Sequence, residues 1–110
     1  MKTFEVKIYV GLREGYTDVV HDIAELESIC QGYCDGIGCC FTVTPTKFIY
    51  KDGHEPGAII GLINYPKHPS TANQILEKAE EIAGWCLTRF KQQSISIVST
   101  IGTYIIGEQA

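Results

Sequence analysis

The sequence predicts an α+β domain whose elements follow the order strand, helix, strand, strand, helix, strand. Three observations predict it. An alternating apolar pattern opens the chain, two later segments have the three-and-four spacing of amphipathic helices, and the stretches between and after them are rich in β-branched residues. At 110 residues, the chain is expected to be one domain spanning 1–110, large enough to bury its own core.

The first strand is predicted from Phe4 to Leu12, where every second residue is apolar. A helix is predicted next, with Thr17 or Asp18 as its N-cap and an end near Asp35-Gly36. The positions of this helix expected to face the core are Val19, Ile23, Leu26, Cys30 and Tyr33.

A hairpin is predicted after the first helix. Its first strand, Cys39 to Tyr50, contains Pro45, which lacks an N–H and is therefore expected at a sheet edge or a bulge. The Asp52-Gly53 pair is typical of a tight turn, and the apolar run from Ala58 to Tyr65 provides the second strand.

The second helix is predicted to begin at Ser70 or Thr71, with Gln74 as the partner of Thr71 in a capping box. A last strand is predicted from Ile95 to Ile106, which is rich in β-branched residues. Two split βαβ units predict a ferredoxin-like βαββαβ fold, a four-stranded antiparallel sheet with both helices on one face. The expected buried stripe of the second helix is Ala72, Ile75, Leu76, Ala79, Ile82, Ala83, Cys86 and Phe90.

The charge, the N-terminal residues and the cysteines together limit the expected partners and the expected compartment. The net charge is −4 and no basic run is present, so we expect no binding to nucleic acid. Residues 1–7 alternate charged and apolar side chains, so neither a signal peptide nor a membrane segment is expected. The five cysteines are irregularly spaced, which favours a reducing compartment, the cytoplasm.

Two predicted strands are apolar on both faces. In Ile59–Ile63 and in Ile95–Val98, consecutive apolar residues point to opposite sides of the sheet, and helices are expected to cover only one side. We therefore expect the other side to be covered by a second copy of the chain, which predicts a homo-oligomer.

Neither the cysteines nor the histidines have the spacing of a metal site. A zinc knuckle uses two Cys-x-x-Cys pairs, which this chain lacks. We expect no metal and no cofactor, with cysteines acting as small apolar residues and histidines as solvated or capping groups. The cysteines are Cys30, Cys34, Cys39, Cys40 and Cys86. The histidines are His21, His54 and His68.

The predicted hairpin holds the candidate ligand-binding residues. Tyr50 offers an aromatic face for stacking, Lys51 offers a cation for a phosphate or carboxylate, and Glu55 offers acceptors for hydroxyl groups. Gln92 and Gln93, at the junction before the last strand, are further candidates. The alternative is an amphipathic hairpin with a solvated tip and two glutamines that only solvate the junction.

Two stretches resemble known proteins: Tyr50-x-x-Gly53-x-Glu55, and Phe90 to Ile95 leading into the last strand. With the predicted element order, they are similar to ferredoxin-like PII and CutA-type trimers and to small phage proteins related to S-adenosylmethionine lyase. The resemblance implies a homotrimer with ligands between subunits. It also implies a glutamate near the hairpin, matched by Glu55, and a Gln-Glu pair before the last strand, where this chain has Gln93.

The amide at Gln93 favours binding over catalysis, because an amide can orient a ligand but can neither neutralise a sulfonium nor act as a base. The first hypothesis is therefore non-catalytic binding or sequestration of a small nucleotide-like, adenosyl-type metabolite at subunit interfaces, by a phage factor that counters a host signal. A second is an S-adenosylmethionine lyase using Glu55. A third is a protein-interaction module that inhibits a host enzyme.

Overall fold

The computed structural model describes residues 1–108, which form five strands and two helices. The strands are β1 (Glu5–Gly11), β2 (Thr42–Tyr50), β3 (Gly53–Ile63), β4 (Ser94–Ser99) and β5 (Gly102–Gly107), and the helices are α1 (Ile23–Ile37) and α2 (Ala72–Arg89). All strand pairs are antiparallel, in the order β2-β3-β1-β4-β5. The central strand is β1, and β2 and β5 form the edges.

The core lies on one face of the sheet. Val6, Ile8 and Val10 of β1 are fully buried, as the alternating sequence pattern predicts. Ile8 pairs with Ile60 of β3 and with Ile97 of β4, so three strands contribute to the same buried layer. Side chains of both helices belong to this core, including Leu26, Cys30 and Tyr33 of α1 and Ile75, Ala79, Ile82, Ala83 and Cys86 of α2.

The predicted number of strands is wrong, because the segment predicted as one strand from Ile95 to Ile106 is two strands. The chain reverses after Ser99, whose hydroxyl donates to the Gly102 carbonyl oxygen at 3.1 Å and accepts the Ile101 N–H at 3.3 Å. The β-branched residues on either side favour extended structure in both strands, so they do not reveal a short turn between them. The sheet is therefore five-stranded and not four-stranded.

The predicted start of the first helix is also wrong. Its N-cap is Asp22, whose carboxylate accepts the Ala24 N–H at 3.2 Å, and not Thr17 or Asp18. Residues 13–20 form a small reversal in which the Glu14 N–H donates to the Val19 carbonyl oxygen at 2.9 Å. Val19, expected in the core, is half exposed. The helix ends at Ile37, which agrees with the expected end near Asp35-Gly36.

Other predicted features are confirmed. The hairpin forms between β2 and β3, and Pro45 lies on the edge strand β2, where its missing N–H interrupts no pairing with a second neighbour. Thr71 caps α2 and exchanges both hydrogen bonds of a capping box with Gln74. One exception is Ala72, which was predicted to belong to the buried stripe of this helix and is exposed.

The second face of the sheet is not covered by the helices and carries apolar side chains. Tyr9 of β1 lies at the centre of this face. It pairs with Ile59 of β3 on one side and with Ser96 of β4 on the other, and Ser96 in turn pairs with Ile105 of β5. Ile105 is 38% exposed and Ile63 is 44% exposed. Within residues 1–108, neither helix has the length and apolar character needed to cross a membrane.

Candidate functional site

Arg13 lies at the centre of a polar site at the turn end of the β2–β3 hairpin. Just after β1, the Leu12 N–H donates to the Pro56 carbonyl oxygen at 3.1 Å, which holds the following residue beside β3. The Arg13 Nε atom lies 3.8 Å from the Glu55 Oε1 atom, and both side chains are only about one-third exposed. We call the group formed by Arg13, Tyr50, Glu55 and Gln92 the Arg13 site.

Tyr50 belongs to this site through its contact with Glu55. Loss of hydration around the half-exposed ring raises the pKa of Tyr50, and the charge of the Glu55 carboxylate and its hydrogen bond to the hydroxyl raise this pKa further. The raised pKa keeps the hydroxyl protonated, so it faces Glu55 as a neutral donor group. A carboxylate with a cation on one side and a hydroxyl on the other is held in place but is partly neutralised.

Gln92 joins the site from the segment that follows α2. Its Nε2 atom donates to the Arg13 carbonyl oxygen at 2.7 Å and to the Phe90 carbonyl oxygen at 3.1 Å. A Cβ atom at Gly11 would fall 2.5 Å from the Gln92 Oε1 atom, so the amide can occupy this place only because residue 11 is glycine. Both amide hydrogens are used within the protein, which leaves the amide oxygen as the free group.

The structure brings together three of the five residues that the sequence singled out. Tyr50, Glu55 and Gln92 all lie near Arg13. Lys51 is exposed in the turn between β2 and β3. Gln93 is exposed as well, and its carbonyl oxygen accepts the Glu108 N–H at 2.7 Å. The glutamine that contacts the Arg13 site is therefore Gln92, the residue before Gln93.

Sequence reasoning missed Arg13, because the partners of this residue are distant in sequence. Glu55 lies 42 positions after it, and Gln92 lies 79 positions after it. The residue type and its place at the end of a predicted strand gave no indication of either contact. Only the antiparallel pairing of β1 with β3 puts the end of β1 next to the hairpin.

His21 is a second residue that sequence reasoning misjudged. The expectation of solvated or capping histidines holds for the exposed His54 and His68 but is wrong for His21, which is mostly buried and lies between two carboxylates. Its Nδ1 atom is 3.0 Å from Glu25 Oε2, and its Nε2 atom is 2.6 Å from Glu14 Oε2. The hydrogen bond to Glu25 raises the pKa of His21, burial lowers it, and Glu14 raises it, with a net rise. The four-residue spacing of His21 and Glu25 was the available signal.

The hairpin is also held by a contact between an aromatic ring and a glycine. Phe48 pairs with Glu55 and extends its ring over Gly57, where a Cβ atom would collide with the ring and would lie 2.7 Å from the Val10 carbonyl oxygen. The absent side chain thus allows the ring to lie flat on β3. Phe48 lies on the same face as Glu55, because cross-strand partners share a face.

A cavity of about 860 Å³ lies at the other end of β3, away from the Arg13 site. Apolar side chains form most of its wall, including Leu62, Tyr65 and Ile75. Cys39 and Cys40 lie along one side. The sequence gave no indication of this cavity, because its wall combines the end of α1, the end of β3, the loop after β3 and α2.

The fold is similar to that of two solved structures. A phage SAM lyase in complex with S-methyl-5'-thioadenosine matches with a TM-score of 0.71 and 16% sequence identity, over 96% of this chain and 90% of the lyase chain. A phage SAM lyase in the apo state matches with a TM-score of 0.62 and 18% identity, over 97% and 90% of the two chains. No protein-family model and no curated protein sequence matches the chain. The predicted distant similarity to phage SAM lyases is therefore confirmed at the level of the fold.

Proposed function

We propose that this protein binds an adenosyl-type metabolite, S-adenosylmethionine or methylthioadenosine, at the Arg13 site without chemically changing it. The observation that carries the proposal is the meeting of Glu55, Tyr50 and Gln92 around Arg13 in a fold similar to phage SAM lyases. The order β2-β3-β1-β4, with the two helical crossovers, also supports the ferredoxin-like class, to which β5 is added at one edge.

The groups of the Arg13 site match the polar parts of such a ligand. The Glu55 carboxylate accepts hydrogen bonds from the two ribose hydroxyls, and the half-exposed Tyr50 ring stacks on the adenine. The Arg13 guanidinium donates from Nη1 to the Thr17 carbonyl oxygen at 3.1 Å and lies 3.8 Å from Glu55, and its remaining N–H groups meet the carboxylate of the methionine part. The free Gln92 amide oxygen accepts a further hydrogen bond.

We further propose that the site is completed by a second copy of the chain in a homo-oligomer, with a trimer favoured. The apolar face that the helices leave open supports this, because Tyr9, Ile59, Ile63 and Ile105 lie on it and two of them are more than one-third exposed. Light scattering on the purified protein gives the subunit number. A monomer at micromolar concentration would contradict this part of the proposal.

The chemistry of the site favours binding over reaction. The sulfonium of S-adenosylmethionine is a cation, and Glu55 is the one carboxylate of the Arg13 site, already paired with Arg13 and faced by the Tyr50 hydroxyl. The residue that approaches from the segment after α2 is the neutral amide of Gln92. This set can orient an adenosyl ligand, but it offers little negative charge to a sulfonium and no strong base.

An S-adenosylmethionine lyase is the second candidate, and the two similar structures favour it. In that reaction the ligand's own carboxylate attacks the carbon next to the sulfonium, which releases homoserine lactone and methylthioadenosine. No external base is consumed, so a shaped and partly dry pocket with oriented dipoles would be sufficient.

Calorimetry and chromatography together test the proposal. Titration of the purified protein with S-adenosylmethionine and with methylthioadenosine is expected to give saturable heats, and incubation with S-adenosylmethionine is expected to release no methylthioadenosine beyond the rate in buffer. Release above that rate would establish the lyase. The absence of heat with either compound would contradict both candidates and would favour the protein-interaction module that inhibits a host enzyme.

A further inference from the structure

Two cysteine side chains are in contact at the C-terminal end of α1. The Cys34 Sγ atom lies 2.9 Å from the Cys39 Sγ atom, and all five cysteines are free thiols. Two half-buried thiols at this distance need only a small movement to form a covalent bond.

The backbone at the end of α1 creates this contact. Gly38 adopts a left-handed conformation, with φ 77°, and its N–H donates to the Cys34 carbonyl oxygen at 2.7 Å. This turn ends the helix and directs the chain back across its last turn. The side chain of the next residue, Cys39, is thereby placed against that of Cys34, so the pairing follows from the helix C-cap.

The other cysteines have different surroundings. Cys30 and Cys86 are buried in the core, and burial raises the pKa of each thiol to about 12. Cys40 is exposed and lies with Tyr65 on the wall of the cavity. A reagent in solution can thus reach Cys40 readily and the Cys34–Cys39 pair partly, whereas the core thiols are protected.

We propose that Cys34 and Cys39 are a reversible oxidation site, at which a low-molecular-weight disulfide such as oxidised glutathione converts the two thiols into an intramolecular disulfide. The Cys34 thiolate attacks one sulfur of oxidised glutathione, which gives a mixed disulfide and one glutathione thiolate. The Cys39 thiolate then attacks the Cys34 sulfur and releases the second glutathione. The two thiol protons go to the two glutathione molecules, so the protein is oxidised and glutathione is reduced by two electrons.

Burial and the hydrogen bond with Cys34 raise the pKa of Cys39 to about 12, so this thiol is largely protonated at neutral pH. Cys39 therefore suits the second, resolving step, in which the target sulfur is already in contact. Only a small fraction of Cys39 is thiolate at neutral pH, and this fraction rises with pH, so the reaction is expected to be faster at higher pH. The bond ties the end of α1 to the segment that enters β2, and Cys39 also lies on the wall of the cavity.

Thiol counting on the full chain tests the proposal. Reduced protein is incubated with oxidised glutathione, quenched with acid, unfolded and alkylated, and the intact mass is measured. In the wild type, the pair is expected to lose two alkylatable thiols without gaining the mass of glutathione, whereas a mixed disulfide at the exposed Cys40 adds that mass, and dithiothreitol is expected to restore all five thiols. Cys34→Ser and Cys39→Ser are each expected to keep all four of their thiols, apart from a mixed disulfide with glutathione.

Cys40→Ser is the matched control, since it changes the neighbouring exposed thiol. It is expected to lose two of its four thiols, as the wild type does. A protease that cleaves before aspartate places Cys30 and Cys34 in one peptide and Cys39 and Cys40 in the next, so the wild type is expected to give a cross-linked peptide pair even if a serine variant does not fold. Fragmentation of this pair in the mass spectrometer, with alkylated Cys30 and Cys40, identifies the bond. Retention of all five thiols, or a bond that requires Cys40, would overturn the proposal.

Discussion

The two ends of β3 differ in how their side chains are held. Near its start, Glu55 lies between Arg13 and Tyr50 in a site where charges and hydrogen bonds fix the groups. Near its end, about 24 Å away along the strand, Leu62 borders a cavity of about 860 Å³ with mostly apolar walls and a pair of thiols nearby. The first end is polar and preorganised, and the second is apolar and open.

The comparison indicates that the volume of a cavity does not by itself identify the site that recognises a polar ligand. The wall of the large cavity is mostly apolar, and its polar side chains are Lys67, His68, Ser70 and Lys78, with the Tyr65 hydroxyl. The Arg13 site has a carboxylate, a guanidinium, a phenol and an amide whose positions are fixed by named partners. Specific recognition of a polar metabolite depends on such fixed groups, so changes at the two ends of β3 should have different effects.

Glu55→Gln is expected to have the largest effect. In the proposed complex it removes the charge that accepts the ribose hydroxyls, so the dissociation constant of methylthioadenosine is expected to rise about 10- to 100-fold, as measured by calorimetry. Oxidation of the Cys34–Cys39 pair should be unchanged. Glu27→Gln, which alters an exposed acid on α1, is the control and should bind as the wild type does. Equal affinity of the two variants would place the ligand elsewhere.

Gly57→Ala is expected to lower stability, because the added Cβ collides with the Phe48 ring and approaches the Val10 carbonyl oxygen. The free energy of unfolding, from urea denaturation, should fall by about 1–3 kcal/mol. Gly32→Ala is the matched control, since its Cβ would meet nothing within 4 Å on the surface of α1. That variant should be more stable than the wild type by about 0.5–1 kcal/mol. Similar losses in both variants would show that the contact of Phe48 with Gly57 has no special role.

Tyr50→Phe is expected to weaken binding less than the change at Glu55. The aromatic face is kept and only the hydroxyl that faces Glu55 is lost, so the dissociation constant should rise by about tenfold or less. Tyr104→Phe is the control, because it removes a hydroxyl that donates to Glu80 at 2.7 Å, outside the Arg13 site. A loss of affinity in the control as large as that in Tyr50→Phe would argue against a local role for Tyr50.

His21 is expected to give the smallest effect, a pH dependence of stability. Glu14 and Glu25 face its ring, and Lys91 approaches Glu14 at 3.7 Å. Because its pKa is raised above the ordinary 6.5, the protonated ring stabilises the folded state fully below pH 6.5, and this contribution is lost as the pH rises through the folded-state pKa.

The urea midpoints of the wild type and of His21→Gln, measured at about pH 5.5 and about pH 8.5, check this expectation. The wild type should lose more stability than the variant between the two values. His68→Gln, at an exposed loop histidine, should follow the wild type. Parallel curves for the wild type and His21→Gln would contradict the linkage.

The features that the sequence predicted correctly depend on residues close together in the chain. The alternation from Phe4 to Leu12 predicts β1, and the pairing of Thr71 with Gln74 predicts the start of α2. The incorrect predictions concern segments in which two local interpretations fit the same residues equally well. Thr17 and Asp18 are as good N-caps as Asp22, and β-branched residues continue through the turn between β4 and β5.

The sequence by itself determined the order of the elements from β1 to α2, the buried face of β1 and the hairpin that carries Tyr50 and Glu55, because periodicity and turn chemistry act over a few residues. Only the tertiary structure decided that Arg13 and Gln92 meet Glu55, that His21 lies between two carboxylates and that Cys39 contacts Cys34. Such contacts depend on strand register and on how helix ends pack. A one-residue change in register would turn each side chain to the opposite face of the sheet.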